Sequence, residues 1–377
     1  MFHKNRFENK GRKLQMKKGM KTIGCLFTLL MLSIGVTGCG QKAKAVSTEI
    51  PQVSLMEEAP KKEGPSERQN LLTGIDDLSA EAVGKRPVAV MINNIEPALP
   101  QYGIAEADVI FELPVEGNQT RLMALYADYT TMPDICAIRS CRYYYPAIAK
   151  GFDAFYVHWG SDQTIVSYVN SLNIDRYDGM ANPHNLFGRD KSRQSAGYSL
   201  EHTGYFKGTK FAEAVEADGK RTDLLEAKQG TAFQFCDIKE VVTPAGNACS
   251  QAYIDFGAQT AKLIYDAEKQ VYTKQINGHA HVDGKTGETL AFTNVFVLET
   301  SISIRDEAGH KKIDWAGSSN AVGYYISNGA VEKIHWSKAN NKESEYLRFY
   351  KESGEELVIN RGKSYIAYTS KGTISFQ

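Results

Sequence analysis

Five arginines in the middle of this 377-residue chain stand beside groups that could share chemistry with them. Arg121 follows Glu112 and Glu116. Arg139 and Arg142 bracket Ser140 and Cys141. Arg189 and Arg193 flank Asp190 in the stretch GRDKSR, and His158-Trp159 ends an apolar run before Gly160, Ser161 and Asp162. A guanidinium offers a planar fork of N–H donors that fits phosphate or carboxylate in two-pronged geometry. The expected ligand-binding set is therefore Glu116, Arg121, Arg139, Arg142, His158, Arg189, Asp190 and Arg193. Arg139 and Arg142 are three apart, and Arg189 and Arg193 four apart, so each pair shares a face where its segment is helical. Three readings fit these residues. The plainest is an internal salt-bridge network that ties hairpin, helix and loop together. Next comes a site for an anion, and last a catalytic site.

Catalytic templates fit the chain poorly. No G-x-S-x-G elbow surrounds Ser140 or Ser161, and His158 reads first as a structural histidine. Cys141 beside Arg142 could be a thiolate nucleophile, but pairing with Cys136 would remove it. His184, His202 and His279-Ala280-His281 make no H-E-x-x-H or related zinc pattern, and no glycine-rich phosphate loop is present. Asp283-Gly284 is first a turn signal. Tyr143-Tyr144-Tyr145 could stack on sugars but reads first as a packed aromatic cluster. We expect no metal and no cofactor.

The elements that must position these residues alternate between strand and helix in the first half. RPVAVMINN (86–94) is an apolar strand. DVIFELPVEG (108–117) and RLMALYAD (121–128) form a hairpin joined by Glu-Gly-Asn. YYYPAIAKG (143–151) is a short helix, with Pro146 confined to its first turn. AFYVHWG (154–160) is a strand, followed by helices in SDQTIVSYVNSL (161–172) and GTKFAEAVEADG (208–219). From residue 228 the pattern becomes strand after strand, rich in Tyr, Val, Ile and Phe. Ile276-Asn277-Gly278 and Ser327-Asn328-Gly329 mark hairpins. The expected fold is α+β: a mixed α/β domain over 81–225, then a mainly antiparallel β domain over 226–377, each folding as its own unit.

The N-terminus reads as an address. Residues 1–22 hold eight Lys or Arg and one acid, and the apolar run from Ile23 to Val36 is short for a membrane span. These are the parts of a secretory signal. Val36-Thr37-Gly38-Cys39 resembles a lipobox, which implies cleavage before Cys39 and a diacylglyceryl anchor on its sulfur. Residues 1–38 are then a signal peptide, and 39–80 a flexible tether too polar to bury much surface. The chain carries 44 basic and 44 acidic residues. Losing the signal removes eight and one of these, which leaves a net charge of −7. That balance is wrong for a nucleic-acid binder. The expected location is the extracytoplasmic face of the cell membrane, held there by lipid.

Cysteine usage agrees with export. Four cysteines follow Cys39, and an even number in an exported chain suggests bridges. Cys136–Cys141 and Cys236–Cys249 are the expected pairs, because each lies within one local segment and one domain. Zinc is the runner-up, although C-x4-C and C-x12-C in separate domains are not a usual zinc framework, and free thiols are the further alternative.

The motifs RPVAVMINN, PQYGIAEADVIFELPVEGNQTRLMALY, IRSCRYYYPAIA and GRDKSR together resemble the YerB-like lipoproteins, the domain of unknown function 3048. YDAEKQVYTKQINGHAHVDGKTGETLAFTNVFV and GYYISNGAVEKIHWSK resemble the C-terminal domain of the same family. The resemblance covers roughly residues 84–370 and implies a lipoprotein with two domains; it implies no reaction. Two functions remain. One is a binding or accessory protein of the envelope, taking an anionic envelope ligand or a protein partner in an Arg-rich cleft. The other is an envelope hydrolase or transferase acting on a phosphate- or carboxylate-bearing substrate.

Overall fold

Val88–Asn93 forms the first strand, β1, and all six of its residues are buried. A strand covered on both faces needs no polar alternation, which is why RPVAVMINN reads as a continuous apolar run. Val109–Pro114 (β2) and Thr120–Tyr126 (β3) are equally buried and pair as an antiparallel hairpin. Its turn spans Glu116–Asn118, where Gly117 and Asn118 adopt φ of 68° and 55°. β3 also pairs antiparallel with β1. On the other edge of β1, Phe155–His158 (β4) and then Arg176–Asp178 (β5) add in parallel.

The computed structural model describes residues 67–377, the Asn341 side chain excepted, and these belong to one compact unit. The signal segment and Cys39 lie outside the described residues. Among the described residues no helix is long and apolar enough to cross a membrane. Leu71, Leu72 and Leu78 are already buried in the core, so the fold takes in the last part of the stretch assigned above to the tether.

The sheet does not stop at the end of the first half. The later strands are Asn247–Ala248 (β6), Asn294–Glu299 (β7), Gly317–Ser327 (β8), Ala330–Lys338 (β9), Leu347–Lys351 (β10) and Ser364–Thr369 (β11). The spatial order is β6-β9-β8-β7-β11-β2-β3-β1-β4-β5, with β10 also on β9. The junction is parallel: β11 lies between β7 and β2, with Val109 opposite Ser364 and Glu112 opposite Ala367. Residues 81–225 and 226–377 therefore meet as strands of one sheet. Alternate side chains of β1 enter different cores: Ala89 and Met91 one, Val88, Val90 and Ile92 the other. The first core is closed by helix α1 (Tyr144–Gly151) through Tyr144, Tyr145 and Ile148, with Pro146 in the first turn. The second is closed by a smaller antiparallel sheet whose Ala252, Leu263 and Tyr272 face inward. Its Asn277-Gly278 turn and the Asn328-Gly329 turn between β8 and β9 put both central residues at positive φ, as a tight hairpin requires.

The expected disulfides are absent. Cys136, Cys141, Cys236 and Cys249 are four separate buried thiols. Each is placed by its own backbone segment: Cys136 opposite Tyr205 in a small three-stranded sheet, Cys141 bridged to Ser161. Each thiol also lies against a carbonyl oxygen, those of His202, Arg142, Glu240 and Gln251 in turn. Short sequence spacing brought neither pair together because each cysteine is held by its own backbone pairing, Cys136 on Tyr205 and Cys141 on Ser161, Cys236 on Ile359 and Cys249 on Gly329.

Candidate functional site

The parallel strands β1, β4 and β5 end together, at Asn93, His158 and Asp178. Carboxyl ends of parallel strands are the usual ligand position of open α/β sheets. Here the segment 137–141 is laid across them by backbone hydrogen bonds. Asn93 N–H donates to Ala137 O (2.8 Å), Arg139 N–H to Met91 O (3.0 Å), Trp159 N–H to Arg139 O (3.0 Å) and Cys141 N–H to Gly160 O (2.9 Å). Arg139 is thus fixed over the ends of β1 and β4. Its guanidinium reaches Glu201 Oε2 at 3.1 Å, and Glu201 is 54% exposed. Its Nε is buried without a hydrogen-bond partner.

Arg189, from the strand Phe187–Arg189, lies 4.2 Å over the Trp159 ring and donates to Leu200 O (2.7 Å). Burial lowers its pKa, and the neighbouring positive charge of Arg139 acts in the same direction. Trp159 can lie flat here because Gly179 and Gly204 lie beneath it; a Cβ on Gly179 would come within 2.6 Å of the ring. The Ser140 and Ser161 hydroxyls stand on adjacent segments, and neither has a hydrogen-bond partner among the described residues. His158 is buried. Its Nδ1–H donates to Gly160 O (2.9 Å), and burial lowers its pKa against the opposing pull of Asp178 at 3.9 Å. Through Nδ1 the ring orients its own loop; its Nε2 is buried without a partner, and it hydrogen-bonds neither serine.

The other predicted residues are engaged elsewhere. Glu116 is held by Arg121 Nη2 (2.9 Å) and Arg142 Nε (2.9 Å), and Arg142 Nη2 also bonds it. Burial raises the Glu116 pKa, but the Arg142 hydrogen bond and the two positive charges prevail and hold it at about 2. Arg121 further donates to Ser140 O (2.7 Å), and Arg142 to Cys141 O (2.8 Å), so this triad ties the β2–β3 turn to the entry of α1. Arg193 is buried between Tyr102 and Tyr198 and donates to the carbonyls of Pro100 and Ala98. Asp190 caps helix α2 (Lys191–Ser195) by accepting from Arg193 N–H (2.8 Å). Neither expected pair shares a face. Arg139 lies within the irregular crossing segment and Arg142 just after it, while Arg189 is on a strand and Arg193 on a helix. Of the five arginines, Arg139 and Arg189 are the two that meet at the strand ends.

A second polar constellation escaped the sequence reading. Lys274 Nζ is ion-paired with Glu112 Oε2 (3.2 Å) and donates to His281 Nδ1 (3.2 Å). His281 Nε2–H donates to Gln101 Oε1 (2.9 Å), Gln101 Nε2 to Asn94 Oδ1 (3.1 Å), and Asn94 Nδ2 back to Glu112 Oε1 (3.0 Å). The ring closes at Lys274, whose ammonium faces both His281 and Glu112, and at Glu112, which accepts from both sides; all five side chains are buried. Tyr365 and Thr120 hydroxyls each add a 2.7 Å bond to Glu112. Burial and the Lys274 charge push the His281 pKa well down, so its ring is neutral. One signal was readable. Lys274 shares the inward face of Val271–Ile276 with Tyr272 and Ile276, and a lysine there demands a buried partner.

One group of possible metal ligands occurs among the described residues: Asp162, Asp306 and His310 bring ligand atoms within 4.8 Å of one another. The Arg305 guanidinium already lies on Asp162 and on Asp306 (2.9 Å), supplying the cation itself.

Residues 72–221 match the family described as "Protein of unknown function (DUF3048) N-terminal domain", and residues 252–366 match its C-terminal domain. The chain belongs to the DUF3048 family. A relative named "Putative lipoprotein YerB", from Bacillus subtilis (strain 168), is 28% identical over 332 residues, 87% of this chain and 89% of that protein. The crystal structure of YerB protein from Bacillus subtilis superposes with a TM-score of 0.69, at 24% identity, over 81% of this chain and 98% of that one. That likeness supports the DUF3048 fold. Within it, the strand-end site belongs wholly to the N-terminal segment. The buried ring joins the two segments, with Asn94, Gln101 and Glu112 from the first and Lys274 and His281 from the second.

Proposed function

We propose that this DUF3048 protein is a lipid-anchored, extracytoplasmic binding or accessory protein of the cell envelope, and that it takes an anionic ligand at the strand ends between Arg139 and Arg189. The anchor is supported by the basic start, the short apolar run and Val36-Thr37-Gly38-Cys39, and by the name of the Bacillus subtilis relative. Membrane association follows from that anchor.

One observation carries the binding reading: at the strand ends the Arg139 guanidinium is paired with the Glu201 carboxylate, which is mostly in solvent, while Arg189 beside it has no salt bridge to a carboxylate among the described residues. An exposed ion pair is worth little, about 0–1 kcal/mol, so an incoming anion displaces Glu201 at small cost. Binding is favoured over hydrolysis or group transfer because, among the described residues, neither Ser140 nor Ser161 is hydrogen-bonded to a base, and His158 holds its own loop through Nδ1. Calorimetric titration of inorganic phosphate into the chain from Gly40 to Gln377 tests the reading. Saturable binding that Arg139→Gln weakens at least about tenfold, a loss of about 1.4 kcal/mol, is expected. Equal binding by wild type and Arg139→Gln would overturn it.

A further inference from the structure

The strand-end site has a second chemical character. Eight large hydrophobic side chains are exposed among the described residues, and two of the three most exposed, Met180 at 72% and Leu200 at 60%, flank the arginine pair. Leu200 is anchored through its own carbonyl, which accepts from Arg189 Nη1 (2.7 Å), and it directly precedes Glu201. Met180 is held on the other side by its N–H donating to Asp178 Oδ1 (3.0 Å), the same oxygen that accepts from Gly160 N–H (2.7 Å). A Cβ on Gly160 would meet the Met180 side chain at 3.5 Å and the Ser140 hydroxyl at 3.9 Å. Single exposed apolar residues are ordinary. Two at the rim of one polar site, with a partly exposed tryptophan between them, make an apolar margin around a cationic centre.

We propose that the ligand is a phosphate monoester carrying an apolar body, with the phosphate between Arg139 and Arg189 and the apolar part across Met180, Trp159 and Leu200. This rests on the anion-binding reading above and specifies the ligand. Two guanidiniums match the double negative charge of a monoester once Glu201 has turned away, and the free hydroxyls of Ser140 and Ser161 supply further donors to its oxygens. The part-exposed edge of Trp159, a ring clamped between the Arg189 guanidinium and Gly179 and Gly204, offers the apolar body a rigid contact that loses no rotamer freedom on binding.

The test compares octyl phosphate, inorganic phosphate and octyltrimethylammonium, each below its micellar concentration, against residues 40–377, which include every described residue. Octyl phosphate is expected to bind at least about tenfold more tightly than inorganic phosphate, the effect of withdrawing roughly two methylenes from water. The double variant Met180→Ser, Leu200→Ser should lose that gain and still bind inorganic phosphate as wild type does. Arg139→Gln with Arg189→Gln should lose both ligands. Equal affinity for the two phosphates in wild type overturns this proposal and leaves the anion reading standing. So does an octyl gain that survives the double serine variant, and so does octyltrimethylammonium binding as tightly as octyl phosphate. Failure of both phosphates to bind overturns the two readings together.

Discussion

Replacing Lys274 by Met should destabilise the whole protein, because Lys274 is the counter-ion of a carboxylate that has no access to water. Glu112 would keep the three donors from Asn94, Thr120 and Tyr365 and lose the one positive charge paired with it among the described residues. Breaking one side of a buried ion pair costs about 3–5 kcal/mol, and the three surviving hydrogen bonds place this case near the lower figure. Against a total stability of about 5–15 kcal/mol that is a large fraction. Glu112→Leu should cost at least as much, since it leaves Lys274 charged against a neutral ring. The double variant removes both charges and should be less destabilised than the sum of the singles by about 1–3 kcal/mol. The assay is urea unfolding followed by far-ultraviolet circular dichroism and by fluorescence of Trp159, Trp315 and Trp336, which report on both halves of the chain. The shared sheet and the ring predict one coincident transition for wild type, shifted as a unit in the variants. A cost for Lys274→Met below about 1 kcal/mol, the size of a single ordinary hydrogen bond, would refute the reasoning, and so would a transition that splits between the halves.

Further outcomes follow from the same structure. His281 has a folded-state pKa well below its free value near 6.5, so the unfolded chain takes up the proton first on acidification. Its contribution is complete above about pH 6.5 and is lost as the pH falls below that value; His281→Gln should flatten the fall in melting temperature between pH 7 and 5, and an unchanged slope would contradict the assignment. His158 and His202 are lowered in the same direction, so the slope should shrink without vanishing. All four cysteines of residues 40–377 should react with a maleimide in denaturant without reductant, and resist it when folded at pH 8, since burial pushes the Cys136 and Cys141 thiols up to about 12. Recovery of a linked Cys136–Cys141 peptide would overturn this. Metabolic labelling with a fatty-acid analogue should mark the full chain and spare Cys39→Ala; equal labelling would remove the anchor from the account.

The parts of the fold legible in the sequence are those set by neighbours along the chain. RPVAVMINN became β1, Glu-Gly-Asn turned the β2–β3 hairpin, the two Asn-Gly pairs turned theirs, and Pro146 fell in the first turn of α1. The insertion of β11 beside β2 was not legible. It pairs residues more than 250 positions apart, and nothing local records which sheet edge a buried apolar strand will meet. The arginine spacings misled for a related reason. Three or four residues apart means one face only on a helix, and 137–141 is an extended crossing segment while Asp190 starts a helix between Arg189 and Arg193. Arg139 and Arg189 meet because each is placed by a different strand end, fifty residues apart. Glu112 was noticed among the hairpin carboxylates, but its partner Lys274 lies in the other half and is visible only as a lysine on an inward face.

The central claim, an anion site between Arg139 and Arg189, is tested most directly by a crystal structure of residues 40–377 grown in phosphate. The account predicts phosphate density bridging the two guanidiniums at hydrogen-bond distance, with the Glu201 carboxylate turned out toward solvent. Glu201 still paired with Arg139, and no anion at the strand ends under saturating phosphate, would contradict it.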